Sequence, residues 1–185
     1  MVSGNAKSGE ALVQLLKSYA YAKIDTASSA AQARRKLNVS VYDLILINTP
    51  LQDEQGQVFA AAAAKAVESG IILLVKNEIL APIAAKAEGE GIFVLPKPIH
   101  RNEFFRTLHL AEGCRKRMQI YRAESEKLKK KLEEARLVGM AKCLLVEKRG
   151  WKEQEAHRYI EKCAMDDRVT RMEIARQVIL RYQEE

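Results

Sequence analysis

The sequence predicts a doubly wound α/β domain, then a long helix, then a small all-helical unit. Three observations carry this. Short continuous apolar runs, YDLILI at 42–47, IILLV at 71–75 and the strand 92–95, alternate with helical stripes, the pattern of a parallel sheet covered on both faces. From Asn102 to Lys148 there is no Pro, and the only Gly residues are Gly113 and Gly139. Beyond Glu134, apolar residues recur at helical spacing in three successive stripes.

In order, Ala6–Tyr19 is a helix on the stripe Ala11, Leu12, Leu15 and Leu16, Ala22–Thr26 a short strand, and Ser28–Leu37 a helix with Thr26 or Ser28 as N-cap. Tyr42–Ile47 is a buried strand, Val58–Val67 an Ala-rich helix, Ile71–Val75 a second buried strand, and Ile79–Ala87 a helix before the strand Ile92–Leu95. Such alternation gives a flavodoxin-like sheet. The first strand of that fold is central, yet only Met1, Val2 and Ser3 precede the first helix. Either that strand is a stub or the true N-terminus lies upstream.

The Pro-free stretch reads as one helix about 70 Å long at 1.5 Å per residue. Phe104, Thr107, Ala111, Cys114, Met118, Tyr121, Ser125, Leu128, Leu132 and Ala135 alternate at three and four residues. That heptad seam, flanked by KLKKKLEEAR, predicts a parallel dimeric coiled coil; the alternative is a solitary solvated helix or one folded back on the first domain. Cys114 on the seam allows an interchain disulfide in oxidising buffer.

The three C-terminal stripes are Leu137, Ala141, Leu144 and Leu145; Ala156, Tyr159, Ile160 and Cys163; and Ile174, Ala175, Val178 and Tyr182. None can be buried alone, so a three-helix bundle follows. Gly150 stops the first helix, and Thr170 with Glu173 forms a capping box that starts the third.

The run RLVGMAKCLLVEKRGWKEQEAHRYIEKCAMDDRVTRMEIARQVI resembles the ANTAR domain, the RNA-binding antitermination module at the C-termini of bacterial response regulators. AKCLLVE, KEQEAHRYI and CAMDDRVTRMEIA are its most specific pieces; Trp151 and Lys152 stand where the family commonly has Leu or Met and Ser or Thr. The N-terminal half is similar to the receiver domain of two-component signalling, through LPKPIH, whose Lys97 and Pro98 match a Lys-Pro with an often cis peptide, and through DLILINTPLQDEQG around the acceptor position.

Asn48 occupies that position. Phosphoryl transfer there needs a carboxylate nucleophile and a divalent ion held by neighbouring acids, and an amide supplies neither. The acids expected after the first strand fall at Gly4 and Asn5, and the switch Thr or Ser at Val75. Lys97 alone survives, for a structural contact. Asp43 is no substitute, lying five residues before Asn48, about 16 Å away and at the wrong end of the strand. Asp53 and Glu54 read as a solvated loop rather than a cation site. A degenerate receiver follows.

The expected organisation is therefore an α/β flavodoxin-like receiver domain at 1–99, a long coiled-coil helix at 100–134, and a three-helix ANTAR bundle at 135–185. Residues 1–99 hold 10 Lys and Arg against 9 acids, and residues 100–185 hold 21 against 15, so the basic excess sits with the helices. With 48% apolar and 30% charged residues the balance is that of a soluble chain, no apolar run is long enough to span a bilayer, and a cytoplasmic protein is implied. Three Cys without CxxC spacing argue against a disulfide framework or zinc site and for reduced, mostly buried thiols. His100, His109 and His157 are scattered, which favours packing or surface roles over a metal. No cofactor and no enzymatic constellation is expected.

The ANTAR resemblance implies a dimer that binds paired RNA stem-loops in mRNA leaders and prevents a terminator from forming, with RNA polymerase or a sensor protein as further partners. It brings Ala141, Lys142, Ala164, Met165 and Arg168 forward as RNA contacts, with Met165 open between base contact and core packing. Arg136, Lys148 and Arg171 are open between phosphate contact and solvated surface. Trp151 is expected to pack at the helix turn. The dimer seam is Cys114, Met118, Tyr121, Leu128 and Leu132. The competing classes are a DNA-binding response regulator, for which no helix-turn-helix pair is visible, and a signalling adaptor that binds no nucleic acid.

Overall fold

The computed structural model describes residues 1–19, 21 and 23–183, and the chain divides into two units, Met1–Ile120 and Tyr121–Glu185. In the first unit the strands β1 (Val2–Ser3), β2 (Leu44–Asn48), β3 (Gly70–Lys76) and β4 (Ile92–Lys97) lie side by side in that order, all parallel. Alternation along β2 and β3 sorts the side chains. Ile45, Ile47, Ile71, Leu73 and Val75 pack one way, against α2 (Ala30–Leu37), α3 (Gly56–Ala66) and α4 (Leu80–Glu88). Leu46, Ile72 and Leu74 pack the other way, against α1 (Ala6–Lys17) and the first turns of α5 (Arg101–Arg149). Two covered faces explain why these strands read as unbroken apolar runs.

Local chemistry sets the helix starts. Asn5 caps α1 by accepting from the Ser8 amide at 3.0 Å. The cap of α2 is Ser29, not Thr26 or Ser28; its side chain accepts from the Gln32 amide. Helix α3 opens at Gly56, ahead of the expected Val58, and a Cβ at Gly56 would stand 2.3 Å from Thr49 Cγ2, so only glycine lets the helix begin against β2. A 3₁₀ turn, Asn77–Ile79, precedes α4, and Pro82 sits in that helix's first turn, where its missing N–H breaks no helical bond.

Of the strand expected at Ala22–Thr26, Ala22 lies outside the described residues and 23–26 are not extended pairing partners. What remains is one parallel bridge between Ala27 and Val2, with the Ala27 amide on Met1 O and the Ser3 amide on Ala27 O, both 2.9 Å. Lys23 and Asp25 leave that stretch too polar to bury on both faces. The bridge lies on the opposite side of β1 from β2, so the winding reverses at β1, and the ends of β1 and β2 form the crevice where this fold places its sites.

In α5 the expected seam divides. Phe104 and Ala111 are fully buried against the first unit's sheet together with Leu108, whereas Cys114, Met118, Tyr121, Leu128 and Leu132 are exposed. Arg115 reaches Asp43 at 2.6 Å, which fixes Asp43 at the end of β2 away from Asn48.

The second unit packs the last part of α5 against α6 (Glu153–Asp166) and α7 (Arg171–Gln183). Every residue of the three stripes joins its core, around Ala141, Leu145, Ala156, Ile160, Ile174 and Ala175. Helix α5 ends at Gly150, whose φ is 67° and whose amide donates to Val146 O at 3.0 Å. Trp151 packs edge-on against Tyr159 with the Arg149 guanidinium over its ring. The Thr170 capping box forms in both directions: Glu173 accepts from the Thr170 amide at 2.8 Å, and Thr170 Oγ1 accepts from the Glu173 amide at 3.2 Å. Cys114 and Cys143 are exposed rather than buried, because they lie on the outward side of α5; only Cys163 is partly enclosed. Among the described residues no helix is long and apolar enough to cross a membrane, and no group of three His, Cys, Asp or Glu is disposed to hold a metal.

Candidate functional site

At the crevice in the first unit, Asn48 is only 4% exposed. Its Nδ2 donates to Ser3 Oγ and to Ser8 Oγ, each at 3.0 Å, and both hydroxyls donate onward to the Asn5 carbonyl. Both amide hydrogens are thereby satisfied without a charge. Of the two positions that would hold acids, Asn5 is exposed and caps α1, and Gly4 is closed. A Cβ at Gly4 would lie 2.9 Å from the Pro50 carbonyl, and Gln52 Nε2 donates to Gly4 O at 2.8 Å, so the loop after β2 covers the loop after β1. Lys97, behind a cis peptide to Pro98, hydrogen-bonds the Thr49 carbonyl, and burial lowers its pKa, with Lys76 adding to the shift. Val75 is fully buried. The arrangement can hold this loop shut; it offers no nucleophile and no cation ligands.

Asp53 is exposed, as expected of this loop, and Glu54 is partly enclosed, but both carboxylates are engaged by the fold. Asp53 caps α2, accepting from the Ala30 and Ala31 amides at 3.0 and 2.8 Å, and those bonds hold its carboxyl below the usual carboxylate range. Glu54 pairs with Arg34 at 2.5 Å, and the same guanidinium lies over the Phe59 ring. These contacts were hidden in the sequence because the partners sit some twenty residues away.

The second unit sorts the residues proposed to meet RNA. Ala141 and Ala164 are buried core residues and present no side chain to a ligand. Met165 is 79% exposed, which settles its alternative against core packing. Lys142 is mostly enclosed and pairs with Glu153 at 2.7 Å, a contact that depresses the Glu153 pKa. Arg136, Lys148 and Arg168 are exposed, and Arg171 pairs with Glu134 and Glu161.

The turn between α6 and α7 has a defined shape. Arg168 adopts φ 55°, its amide donates to Met165 O at 3.3 Å, and the Val169 amide donates to Ala164 O at 3.0 Å, while Val169 packs into the core. This is the paired C-terminal bonding in which glycine is the usual left-handed residue. An arginine there is strained, and strain of that kind clusters at working surfaces. Behind the turn, Arg158, Lys162 and Met165 stand at i, i+4 and i+7 on the outer face of α6, opposite Ala156, Ile160 and Ala164, and all three are exposed. Arg158 and Lys162 were not singled out from the sequence, although that spacing is readable there. Two cations, an exposed thioether and an outward arginine turn give a surface suited to phosphates and splayed bases.

Residues 126–179 match the ANTAR domain model, and the match opens inside the Lys-rich run of α5. The chain is 26% identical over 123 residues to the aliphatic amidase regulator of Pseudomonas aeruginosa, covering 66% of this chain and 63% of that protein, so it spans less than two thirds of that relative's length. It is 23% identical over 168 residues to the transcriptional regulatory protein PdtaR of Mycobacterium tuberculosis, covering 91% of this chain and 82% of that one. A response regulator receiver domain protein from Clostridium thermocellum superposes with a TM-score of 0.56 at 19% identity, covering 63% of this chain and 94% of that one. An adenylate cyclase structure from Rhodopirellula baltica gives a TM-score of 0.59 at 17% identity, covering 70% and 94%. At those identities the two structures share the fold alone. The chain thus carries an ANTAR domain at 126–179 behind a receiver-like fold with Asn48 at the end of β2, and it is similar to regulators from Pseudomonas and Mycobacterium.

Proposed function

We propose that this protein is an RNA-binding transcription antitermination regulator that works in the cytoplasm as a dimer. It holds paired stem-loops of an mRNA leader and keeps the overlapping terminator from forming, without phosphorylation at the usual position. The observation that carries this reading is the outer surface of the ANTAR unit, where Arg158, Lys162, Met165 and Arg168 stand outside a closed three-helix core. Lys142 joins them once its ion pair with Glu153 is exchanged for a phosphate. The dimer is supported by the exposed seam of α5, where Leu128 and Leu132 are 62% and 73% exposed at heptad positions that a second copy would cover. Two ANTAR units on one coiled coil would engage linked hairpins with the gain of effective concentration.

The test is an electrophoretic shift of the full chain with a dual-hairpin RNA, a single hairpin, and duplex DNA of equal length. Tight binding to the dual hairpin, weaker binding to the single hairpin, and losses on Arg168→Ala and Lys142→Ala are expected. Equal binding to duplex DNA would favour a DNA-binding regulator, and no binding to either nucleic acid would favour a signalling adaptor.

A further inference from the structure

Lys127, Lys130 and Lys131 of α5 are exposed and stand three and four residues apart, so one face of the helix carries all three. Glu134 lies farther along the same face. Arg171, the first residue of α7, binds Glu134 Oε1 from Nε at 3.0 Å and from Nη2 at 2.9 Å. That contact holds the start of α7, directly after the α6–α7 turn, against α5 one helical turn from Lys131. At 1.5 Å per residue, Lys131 and Lys127 lie about 5 and about 10 Å along the helix from this anchor.

The charge is concentrated. Residues 127–131 hold four Lys and no acid, and residues 115–131 hold eight Lys and Arg against two Glu, +6 of the chain's net +7. The acids that follow are already engaged, Glu133 by Arg176 at 3.0 Å and Glu134 by Arg171, and Lys129 is paired with Glu126 at 3.2 Å. Like charges at these spacings repel and weaken the helix, so the fold gains nothing from Lys127, Lys130 and Lys131. Leu128 and Leu132 lie on the proposed dimer seam, where Lys127 and Lys130 take outer positions and Lys131 flanks the seam, so a second copy would leave Lys127 and Lys130 uncovered and Lys131 at its edge.

We infer that this lysine face binds the phosphate backbone of an RNA stem whose unpaired bases meet the α6–α7 turn. The inference rests on the RNA reading above and extends it from the loop to the stem. A stem is favoured over a single strand because no aromatic side chain accompanies the three lysines, and sequence-tolerant single-strand binding relies on base stacking. A duplex presents dense phosphate rows that lysines can neutralise without reading sequence.

The experiment uses the full chain and one loop sequence carried on a short stem and on a stem roughly three times as long, with affinity read across a salt series. Wild type is expected to bind the long stem about tenfold more tightly, with a salt slope steeper by nearly three, as roughly three added phosphate contacts on a duplex predict. The triple variant Lys127→Gln, Lys130→Gln, Lys131→Gln, which keeps helix propensity, is expected to bind both stems like wild type on the short one. A variant that retains the full gain from stem length overturns the proposal. So does a wild type that binds both stems equally, which leaves the RNA reading intact; a wild type that binds neither overturns both.

Discussion

Asn48 donates from Nδ2 to Ser8 Oγ at 3.0 Å, a contact that ties the end of β2 to the first turn of α1 where a receiver would keep a carboxylate for phosphoryl transfer. Putting the carboxylate back should not put the chemistry back. Asn48→Asp is expected to remain unmodified by acetyl phosphate and magnesium, as read by intact mass, and to lose about 1–3 kcal/mol of stability because two donors disappear from a buried site. A stoichiometric acyl phosphate on the variant would refute this.

Arg168 separates stability from binding. Arg168→Gly removes the penalty of a left-handed non-glycine residue and should stabilise the ANTAR unit by about 1 kcal/mol while weakening RNA binding. Trp151 is the chain's one tryptophan and packs with this unit's core, so its fluorescence in urea reports the transition directly. A variant that lost stability would place Arg168 in a supporting role within the fold.

The Asp53 cap predicts a pH dependence. Its folded pKa is depressed below the unfolded value, by the Ala31 amide first and the Ala30 amide next. The contribution is therefore fully present above the unfolded carboxylate range, and it is lost as pH falls through the folded value. Asp53→Asn should lower receiver stability at neutral pH and show a smaller further loss on acidification than wild type. Identical acid profiles would remove Asp53 from the account.

Glu153 restrains Lys142. Glu153→Gln should free the ammonium and tighten RNA binding several-fold, with a salt dependence steeper by about one. Ala141→Leu, one helical turn from Leu137 but facing the packed core, should instead cost about 1–3 kcal/mol by overpacking and weaken RNA binding only as the unit unfolds. Comparing Trp151 melts with RNA affinities distinguishes the two cases.

The exposed seam makes the dimer testable. Leu128→Glu with Leu132→Glu should yield a monomer by sedimentation, move the Trp151 transition by less than about 0.5 kcal/mol, and cost about a hundredfold in affinity for the dual hairpin but little for a single one. A variant that stayed dimeric would locate the interface elsewhere.

What could be read from the sequence was what depends on short spacings. The three C-terminal stripes, the Thr170–Glu173 box, the Gly150 stop and the buried β2 and β3 all rest on residues within a few positions of each other. The identity of Asn48 was equally legible. Contacts across the chain were not: Asp53 on the start of α2, Arg34 with Glu54, and Arg171 on Glu134 join residues whose proximity exists only after folding. Motif matching also blurred surface and core, because Ala141 and Ala164 belong to the matching run for their packing, whereas Met165 one residue later points out. The seam misled for a related reason: its heptad continues through Phe104 and Ala111, but the receiver sheet claims that face first.

Under the proposed phosphate-independent reading, the close approach at Gly4 gives the receiver a direction in time. A carboxylate at 48 has no cation partner while positions 4 and 5 lack acids, and an acid at 4 must first push the Pro50 carbonyl aside. Each single reversion is therefore neutral at best and damaging at worst, so stepwise mutation has no rewarded path back. What such a receiver still does is visible in its sheet, which buries Phe104, Leu108 and Ala111 and so anchors the first turns of α5.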